Sequence, residues 1–126
     1  MKRELIIKKC KKCGALVKII KDCTCENCGI KCCNEQMEIL IPNTENAIPE
    51  KHIPTYEKVE NEIYVTVNHP MEKEHYIEWI SLVTENKEFT EILYPEQNAE
   101  CRFPYIPGAI LYVYCNTHGL WKEEIK

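Results

Sequence analysis

The sequence predicts an all-β protein, built from a small cysteine-rich β module followed by a β-sandwich. Seven of the nine cysteines fall between Cys10 and Cys33, which marks out the N-terminal module. The rest of the chain contains short stretches in which apolar and polar residues alternate, as they do in half-buried strands. No stretch has the apolar periodicity of a helix, and short strands separated by turn residues are typical of a sandwich.

The 126 residues suit a small domain joined to a larger one. We predict a metal-binding module over residues 1–38, a linker over residues 39–49 and a second domain over residues 50–126. The linker prediction rests on two prolines, two asparagines and a threonine.

Five stretches of the second domain predict its strands. In the first of them Ile63, Val65 and Val67 share one face, and in the last Leu111, Val113 and Cys115 do so, because side chains alternate along a strand. The stretches are residues 63–67, 76–83, 88–94, 99–103 and 109–114.

Composition excludes several classes of function. The formal net charge of −4 argues against a nucleic-acid partner, and no apolar run approaches the ~18 residues of a membrane span. The apolar stretch near the N-terminus is too short for a signal peptide, so we expect a cytoplasmic protein with reduced thiols. Nine clustered cysteines in such a compartment indicate metal binding rather than disulfides.

The N-terminal cysteines predict a tetrathiolate site. Cys10 and Cys13 form a C-x2-C knuckle, a spacing that lets two thiolates reach one ion. A glycine follows the knuckle. The residues leave the other two ligands open. Either a second knuckle, Cys25 and Cys28, or the adjacent pair at positions 32 and 33 would complete the site, and four thiolates do not decide between iron and zinc.

The four histidines and one cysteine of the second domain form a second candidate site. Each lies at a predicted strand end or in a loop, where a sandwich gathers its connections. The five residues are His52, His69, His75, Cys115 and His118. Five ligands overfill structural zinc, which is normally tetrahedral, whereas imidazoles with one thiolate suit iron or copper. Four imidazoles in a plane with one axial thiolate would leave a sixth position for a small molecule.

These motifs resemble the desulfoferrodoxin type of superoxide reductase, which carries an N-terminal desulforedoxin-like module. The resemblance spans nearly the whole chain. It is carried by five motifs in order, namely Cys10-Lys11-Lys12-Cys13-Gly14, Cys32-Cys33-Asn34-Glu35-Gln36-Met37, Glu50-Lys51-His52-Ile53-Pro54, His69-Pro70-Met71-Glu72 with His75-Tyr76-Ile77-Glu78-Trp79, and Tyr114-Cys115-Asn116-Thr117-His118-Gly119.

The resemblance implies an immunoglobulin-like sandwich, a homodimer and two iron sites. In the second domain the four histidines would be equatorial ligands, and Cys115 the axial ligand, of a ferrous ion. In the N-terminal module it selects Cys10, Cys13, Cys32 and Cys33 around a second iron, although the four thiolates by themselves leave both iron and zinc open. The chain departs from the family pattern here, because the stretch before the adjacent pair is longer and contains Cys23, Cys25 and Cys28. The last two remain alternative ligands.

The resemblance also implies the reaction, a one-electron reduction of superoxide to hydrogen peroxide at a mononuclear non-haem iron. A rubredoxin-like protein would supply the electron. Lys51 would attract the superoxide anion and hold a proton-donating water, and Glu50 would fill the sixth position of the resting ferric ion.

Two other functions are compatible with the residues. One is a non-catalytic iron electron-transfer protein in which only the tetrathiolate site is active. The other is a structural module that joins a zinc ribbon to an immunoglobulin-like domain. The presence of every histidine in a family motif favours the reductase.

Overall fold

A computed structural model of the protein describes residues 3–44 and 51–126. Within these ranges the chain is all-β and contains no α-helix, which confirms the predicted fold class. None of these residues belongs to a helix long and apolar enough to cross a membrane. The chain divides into two compact units, of which the smaller is Leu5–Ile41 and the larger is Pro42–Lys126 together with the N-terminal residues up to Glu4.

The smaller unit is built from five short strands. A three-stranded antiparallel sheet has the order β2-β1-β5, and a separate hairpin pairs β3 with β4. The strands are β1 Ile6–Lys9, β2 Leu16–Ile19, β3 Lys31–Cys32, β4 Glu35–Gln36 and β5 Glu38–Ile39. Its buried apolar side chains are few, chiefly Leu5, Ile7 and Met37. Small units of this kind commonly depend on bound metal for stability.

The larger unit consists of two antiparallel sheets. One has the strand order β10-β7-β6 and the other the order β12-β11-β8-β9. The strands are β6 Thr55–Val59, β7 Glu62–Thr66, β8 Ile77–Val83, β9 Glu88–Ile92, β10 Glu100–Pro104, β11 Ile110–Cys115 and β12 Gly119–Glu124. Apolar residues of both sheets form one core, with Ile63 and Val65 of β7 in the same cluster as Leu111 and Val113 of β11.

Cys115 ends strand β11 on the side of that core. Leu111, Val113 and Cys115 are each fully buried and belong to the core cluster, as expected for alternate residues of one strand. The alternation predicted from sequence therefore places the Cys115 thiol at the inner edge of the sandwich, where the strand ends.

Strand β8 contains an irregularity next to Cys115. Tyr114 pairs with Trp79, whereas the following residue, Cys115, pairs with Ile77, so that one residue of β8 is left over. This β-bulge explains why Ile77 and Ile80, three positions apart, both lie in the core.

Sequence patterns miss the strands β6 and β12. Strand β6 has largely exposed residues and lies at the edge of its sheet, so it lacks a clear apolar face. Strand β12 buries the adjacent residues Leu120 and Trp121, which breaks the period of two. Part of the predicted linker is also ordered, because Ile39 lies in β5 and the Asn43 N–H donates to Leu120 O at 2.9 Å. Residues 45–49 lie outside the described ranges.

Candidate metal centres

The five ligands predicted in the larger unit converge at one end of the sandwich. His52 precedes β6, and His69 and His75 lie in the connection between β7 and β8. Cys115 ends β11, and His118 lies in the turn that leads into β12. The pairs Thr55–Thr66, Ile77–Cys115 and Cys115–Gly119 bring these strand ends together.

The ligand atoms lie close enough to share one ion. One nitrogen from each imidazole and the Cys115 sulfur all fall within 4.8 Å of one another. His52 Nε2 is 3.1 Å from His118 Nδ1, and the Cys115 sulfur is 3.3 Å from His69 Nε2. This group, which we call the histidine–cysteine cluster, therefore consists of His52, His69, His75, Cys115 and His118.

The four imidazoles of the histidine–cysteine cluster form a closed ring. His52 contacts His69, His69 contacts His75, His75 contacts His118, and His118 contacts His52. The centroid separations are 4.6–5.0 Å, and all four contacts are edge-to-face. The structure thus brings the four histidines and the cysteine singled out in the sequence into one group.

A buried nitrogen shows that the cluster is suited to a metal ion. His75 Nε2 is inaccessible to solvent and has no hydrogen-bond partner in the described part of the chain. Burying an unpaired polar atom is costly, and a metal bond would satisfy it. The nitrogen and sulfur donors suit a transition metal such as iron.

Hydrogen bonds orient several of these candidate ligands on the side away from the other members of the cluster. His69 Nδ1 lies 2.6 Å from Pro70 O, which indicates that Nδ1–H donates and that Nε2 carries the lone pair facing Cys115. The His118 N–H donates to the Cys115 sulfur at 3.3 Å. Trp121 Nε1–H donates to His118 O at 3.0 Å, and its indole stacks on His52.

Asn116 connects the loop of His75 to the loop of Cys115. Its amide Nδ2 donates to Glu74 O at 3.0 Å, and its Oδ1 accepts from the Tyr76 N–H at 3.0 Å. The Asn116 N–H also donates to Tyr76 O at 3.2 Å. These hydrogen bonds fix Glu74 and Tyr76, the residues on either side of His75, relative to the loop that follows Cys115. Neither Asn116 nor Trp121 has a local sequence signal of a supporting role, although Asn116 lies within a quoted motif and Trp121 closely follows it.

Burial favours the neutral forms of two ligands. It lowers the pKa of His69 to about 4, so this imidazole is neutral and able to bind metal at pH 7. Burial also raises the pKa of the Cys115 thiol, and the N–H of His118 opposes this effect only in part. A metal ion must therefore displace a proton from Cys115 when it binds.

Lys51 is exposed and directly precedes His52, a buried residue of the cluster. It is therefore adjacent in the chain to a member of the histidine–cysteine cluster. Glu50, the other residue to which the sequence assigns a catalytic role, lies outside the described ranges.

A second group of ligands lies in the smaller unit. Its four sulfur atoms fall within 4.8 Å of one another, with Cys13 Sγ 3.6 Å from Cys32 Sγ and Cys32 Sγ 3.9 Å from Cys33 Sγ. We call this group the four-cysteine cluster, and it consists of Cys10, Cys13, Cys32 and Cys33. Left-handed backbone at Gly14 (φ +80°) and Cys33 (φ +55°) shapes the two halves of the cluster.

The alternative ligands Cys25 and Cys28 are not part of the four-cysteine cluster. Cys28 forms a disulfide with Cys23, which departs from the expectation that all the cysteines are reduced, and Cys25 is an exposed free thiol. Of the two pairings that the sequence leaves open, the structure brings together the one with the adjacent cysteines.

The thiols of the four-cysteine cluster differ in pKa. The Cys13 N–H donates to the Cys10 sulfur and lowers the pKa of Cys10 to about 7. Hydrogen bonding with Cys13 raises the pKa of Cys32 to about 12. Without a cation the cluster therefore holds its first negative charge on Cys10, and a metal ion is needed to deprotonate the remainder.

Comparison with known proteins places the chain in a family. The desulfoferrodoxin family profile matches residues 44–124. A desulfoferrodoxin from Syntrophotalea carbinolica is 38% identical, and the match covers 98% of this chain and 99% of that protein. A superoxide reductase from Pyrococcus horikoshii is 33% identical over 61% of this chain and 87% of its own length.

A solved structure has the same fold. The crystal structure of the superoxide reductase from Treponema pallidum is similar to this chain with a TM-score of 0.73 and 28% identity. The match covers 97% of this chain and 100% of the other. Together with the near full-length sequence match, this shows that the chain belongs to the desulfoferrodoxin family.

Proposed function

We propose that this chain is a superoxide reductase that converts superoxide to hydrogen peroxide at a mononuclear non-haem iron. The observation that carries the proposal is the closed ring of four imidazoles with the Cys115 thiol close by, in which the buried His75 Nε2 has no partner among the described residues. The names of the similar proteins support the same activity. Iron bound there would supply one electron to superoxide, which takes up two protons to give hydrogen peroxide.

The ligands of this iron are proposed to be His52, His69, His75 and His118, with Cys115 as the thiolate. The protein contributes a prearranged set of donors, because the hydrogen bonds of Pro70, Asn116 and Trp121 orient the loops before the ion arrives. The N–H of His118 donates to the Cys115 sulfur and so withdraws negative charge from it. This hydrogen bond would therefore reduce the electron density that the Cys115 thiolate donates to a bound iron ion.

Lys51 is proposed to attract the substrate. Superoxide is an anion, whereas the whole chain has a formal charge of −4, so a local cation beside the cluster is needed to favour its approach. The exposed ammonium next to His52 meets that need. It would also hold the water from which a proton reaches the product. Glu50 remains proposed as a ligand of the resting ferric ion.

The four-cysteine cluster is proposed to bind a second metal ion, iron or zinc, through Cys10, Cys13, Cys32 and Cys33. Iron would allow the smaller unit to take part in electron transfer, whereas zinc would make it purely structural. A rubredoxin-like donor, a homodimer and a cytoplasmic location complete the proposal. The edge strand β9 supports self-association, because Ile92 on it is 57% exposed.

The proposal is tested on protein purified without oxygen. Iron and zinc per chain are measured first, followed by the yields of hydrogen peroxide and dioxygen from a steady source of superoxide. A reductase supplied with an electron donor forms one hydrogen peroxide for each superoxide consumed and no dioxygen. Dismutation, which yields dioxygen and half as much peroxide, would contradict the proposal, as would iron-loaded protein that does not consume superoxide.

Two buried cysteines of the larger unit provide a matched pair of variants. Cys115→Ser removes the proposed thiolate, whereas Cys101→Ser alters a cysteine of strand β10 outside either cluster. We expect Cys115→Ser to abolish superoxide reduction and the thiolate-to-iron absorption of the oxidised protein. Cys101→Ser should retain both. Equal activity in the two variants would show that Cys115 is not the thiolate.

A further inference from the structure

A short loop of the smaller unit contains three cysteines that the two clusters do not use. We call residues 23–28, between strands β2 and β3, the disulfide loop. All nine cysteines lie in the described part of the chain, and in this loop Cys23 and Cys28 are joined by a disulfide. Cys25, between them, is a free and exposed thiol.

We propose that the disulfide of Cys23 and Cys28 is a thiol–disulfide exchange site that reacts reversibly with dithiols in the folded protein. This activity is separate from both metal clusters and does not depend on the reaction of the histidine–cysteine cluster. The co-reactant is defined by its chemistry, a small molecule or protein that carries two neighbouring thiols.

Accessibility supports this proposal. Cys23 is exposed, Cys28 is partly exposed, and neither lies in a strand. A dithiol therefore has a path to the disulfide without disturbing a sheet. Exposed disulfides are generally the labile, regulatory or catalytic ones.

The disulfide closes a short loop. Its sequence separation is only 5, so it removes less conformational freedom from the unfolded chain than a crosslink between distant residues would. Its reduction therefore costs less stability than the loss of a long-range crosslink.

Other contacts hold both ends of the disulfide loop. At its start, Asp22 Oδ1 accepts from the Cys23 N–H at 2.9 Å and from Lys8 Nζ at 3.2 Å. Lys8 lies in strand β1 and is 9% exposed, so this ion pair ties the start of the loop to a buried position in the sheet. Beyond its end, the Met37 N–H donates to Ile30 O at 2.8 Å. Opening the disulfide would therefore leave the path of the chain largely unchanged.

Cys25 supplies a third sulfur at high local concentration. It is two residues from Cys23 and three from Cys28. If an external thiol forms a mixed disulfide with either partner, two thiols of the same loop compete to release it. Such intramolecular reactions are favoured because the reacting groups are already close together.

The reaction balances without another reagent. One thiolate of the dithiol attacks a sulfur of the disulfide, a new S–S bond forms, and the other loop cysteine leaves as a thiolate and takes up a proton. The second thiol of the reductant then attacks the mixed disulfide. The products are two loop thiols and the oxidised form of the dithiol, and the reverse sequence restores the bond.

The full-length, iron-loaded protein can be tested in buffers with different ratios of reduced to oxidised dithiothreitol. After equilibration the thiols are alkylated, the protein is digested with trypsin, and the peptide Asp22–Lys31 is analysed by mass spectrometry. This peptide contains Cys23, Cys25 and Cys28 and none of the other cysteines. We expect three alkyl groups in reducing buffers and one, on Cys25, in oxidising buffers, with iron content unchanged.

The ratio of the two peptide forms should rise tenfold when the dithiothreitol ratio rises tenfold, as for a two-electron exchange. Cys25→Ser should keep this transition, and Glu26→Gln is the control for a change in the loop that removes no thiol. The double variant Cys23→Ser with Cys28→Ser should show one alkyl group at every ratio.

Four results would overturn the proposal. The disulfide could resist dithiothreitol until the protein is denatured, which would make it structural. The loop could carry three free thiols at every ratio, so that no pair forms. Its thiols could also be protected until a chelator is added, which would make the loop a metal site. Loss of the transition in Cys25→Ser would overturn the assignment of the pair.

Discussion

The indole of Trp121 lies over the imidazole of His52, with the ring centroids 4.9 Å apart and the planes 23° from parallel. The same indole donates its Nε1–H to His118 O at 3.0 Å. One fully buried side chain of strand β12 therefore supports two neighbouring members of the imidazole ring. The rigidity of the histidine–cysteine cluster depends in part on a residue that does not itself face the ion.

We first predict that Trp121→Phe weakens metal binding. Phenylalanine keeps an aromatic ring beside His52 but cannot donate to His118 O. Loss of such an outer hydrogen bond typically lowers metal affinity about tenfold or more. Chelator competition at the histidine–cysteine cluster would measure this change. Trp79→Phe is the control, because Trp79 stacks on Tyr114 elsewhere in the same sheet; equal losses in both variants would contradict the role of Trp121.

The second prediction concerns Lys51. Lys51→Ala should slow the reaction with superoxide about tenfold at low ionic strength, because it removes the cation proposed to attract the anion. The iron content and visible spectrum should stay unchanged. Stopped-flow or pulse-radiolysis rates at several salt concentrations would measure the effect, which should shrink as salt increases. An unchanged rate, or an equal loss in the exposed variant Lys87→Ala, would exclude this role.

The third prediction separates the ligands of the four-cysteine cluster from the cysteines of the disulfide loop. Cys13→Ser removes one of the four converging sulfurs and should release the metal of the smaller unit. Cys25→Ser should retain it. Metal content per chain and the visible absorption of the N-terminal site distinguish the variants, and the iron of the histidine–cysteine cluster should persist in both. Loss of metal in Cys25→Ser would return Cys25 to the ligand set.

The fourth prediction is a pH dependence of stability caused by Cys101. Burial raises the pKa of this thiol to about 12 from an ordinary value of 9.0. Below pH 9 both the folded and the unfolded states keep the proton, so this thiol adds no pH dependence there. Between pH 9 and 12 the unfolded state loses the proton while the folded state keeps it, so stability falls as the pH rises.

Comparison with Cys101→Ala isolates this effect from other groups that titrate in the same range. The free energy of unfolding of the unmodified protein should fall by about 1.4 kcal/mol more than that of the variant between pH 8 and pH 10. Urea titrations at matched iron content measure the difference. Parallel pH profiles for the two proteins would show that Cys101 does not titrate as predicted.

Much of the fold and the membership of the histidine–cysteine cluster could be predicted from the residues, whereas the membership of the four-cysteine cluster followed only from the family resemblance. Four histidines and one cysteine at strand ends are recognisable because antiparallel strands return their ends to one edge. The choice between two cysteine pairs could not be made from spacing, because C-x2-C and an adjacent pair both reach one ion. Only the folded loop shows that Cys28 is bonded to Cys23 and lies apart from the four-cysteine cluster.

The residues that orient the histidine–cysteine cluster, Trp121 and Asn116, could not be predicted from the sequence. Strand β12 lacks the alternation of apolar and polar residues by which strands are predicted, because Trp121 and its neighbour Leu120 are buried on opposite faces. Asn116 lies between two ligands in the chain, yet its hydrogen bonds reach Glu74 and Tyr76, 42 and 40 residues away. Such long-range contacts have no local signature.

The extra residue in strand β8 changes how this part of the chain can be compared or redesigned. Before the bulge the core residue Ile77 has an odd number, whereas after it the core residues Ile80 and Leu82 have even numbers. An alignment or a design that assumes strict alternation would turn Trp79 inward if it is counted from Ile77, or turn Ile77 outward if it is counted from Ile80. Deleting Glu78 would give regular pairing with β11, but it would remove the carbonyl oxygen that accepts from the Leu93 N–H at 2.9 Å.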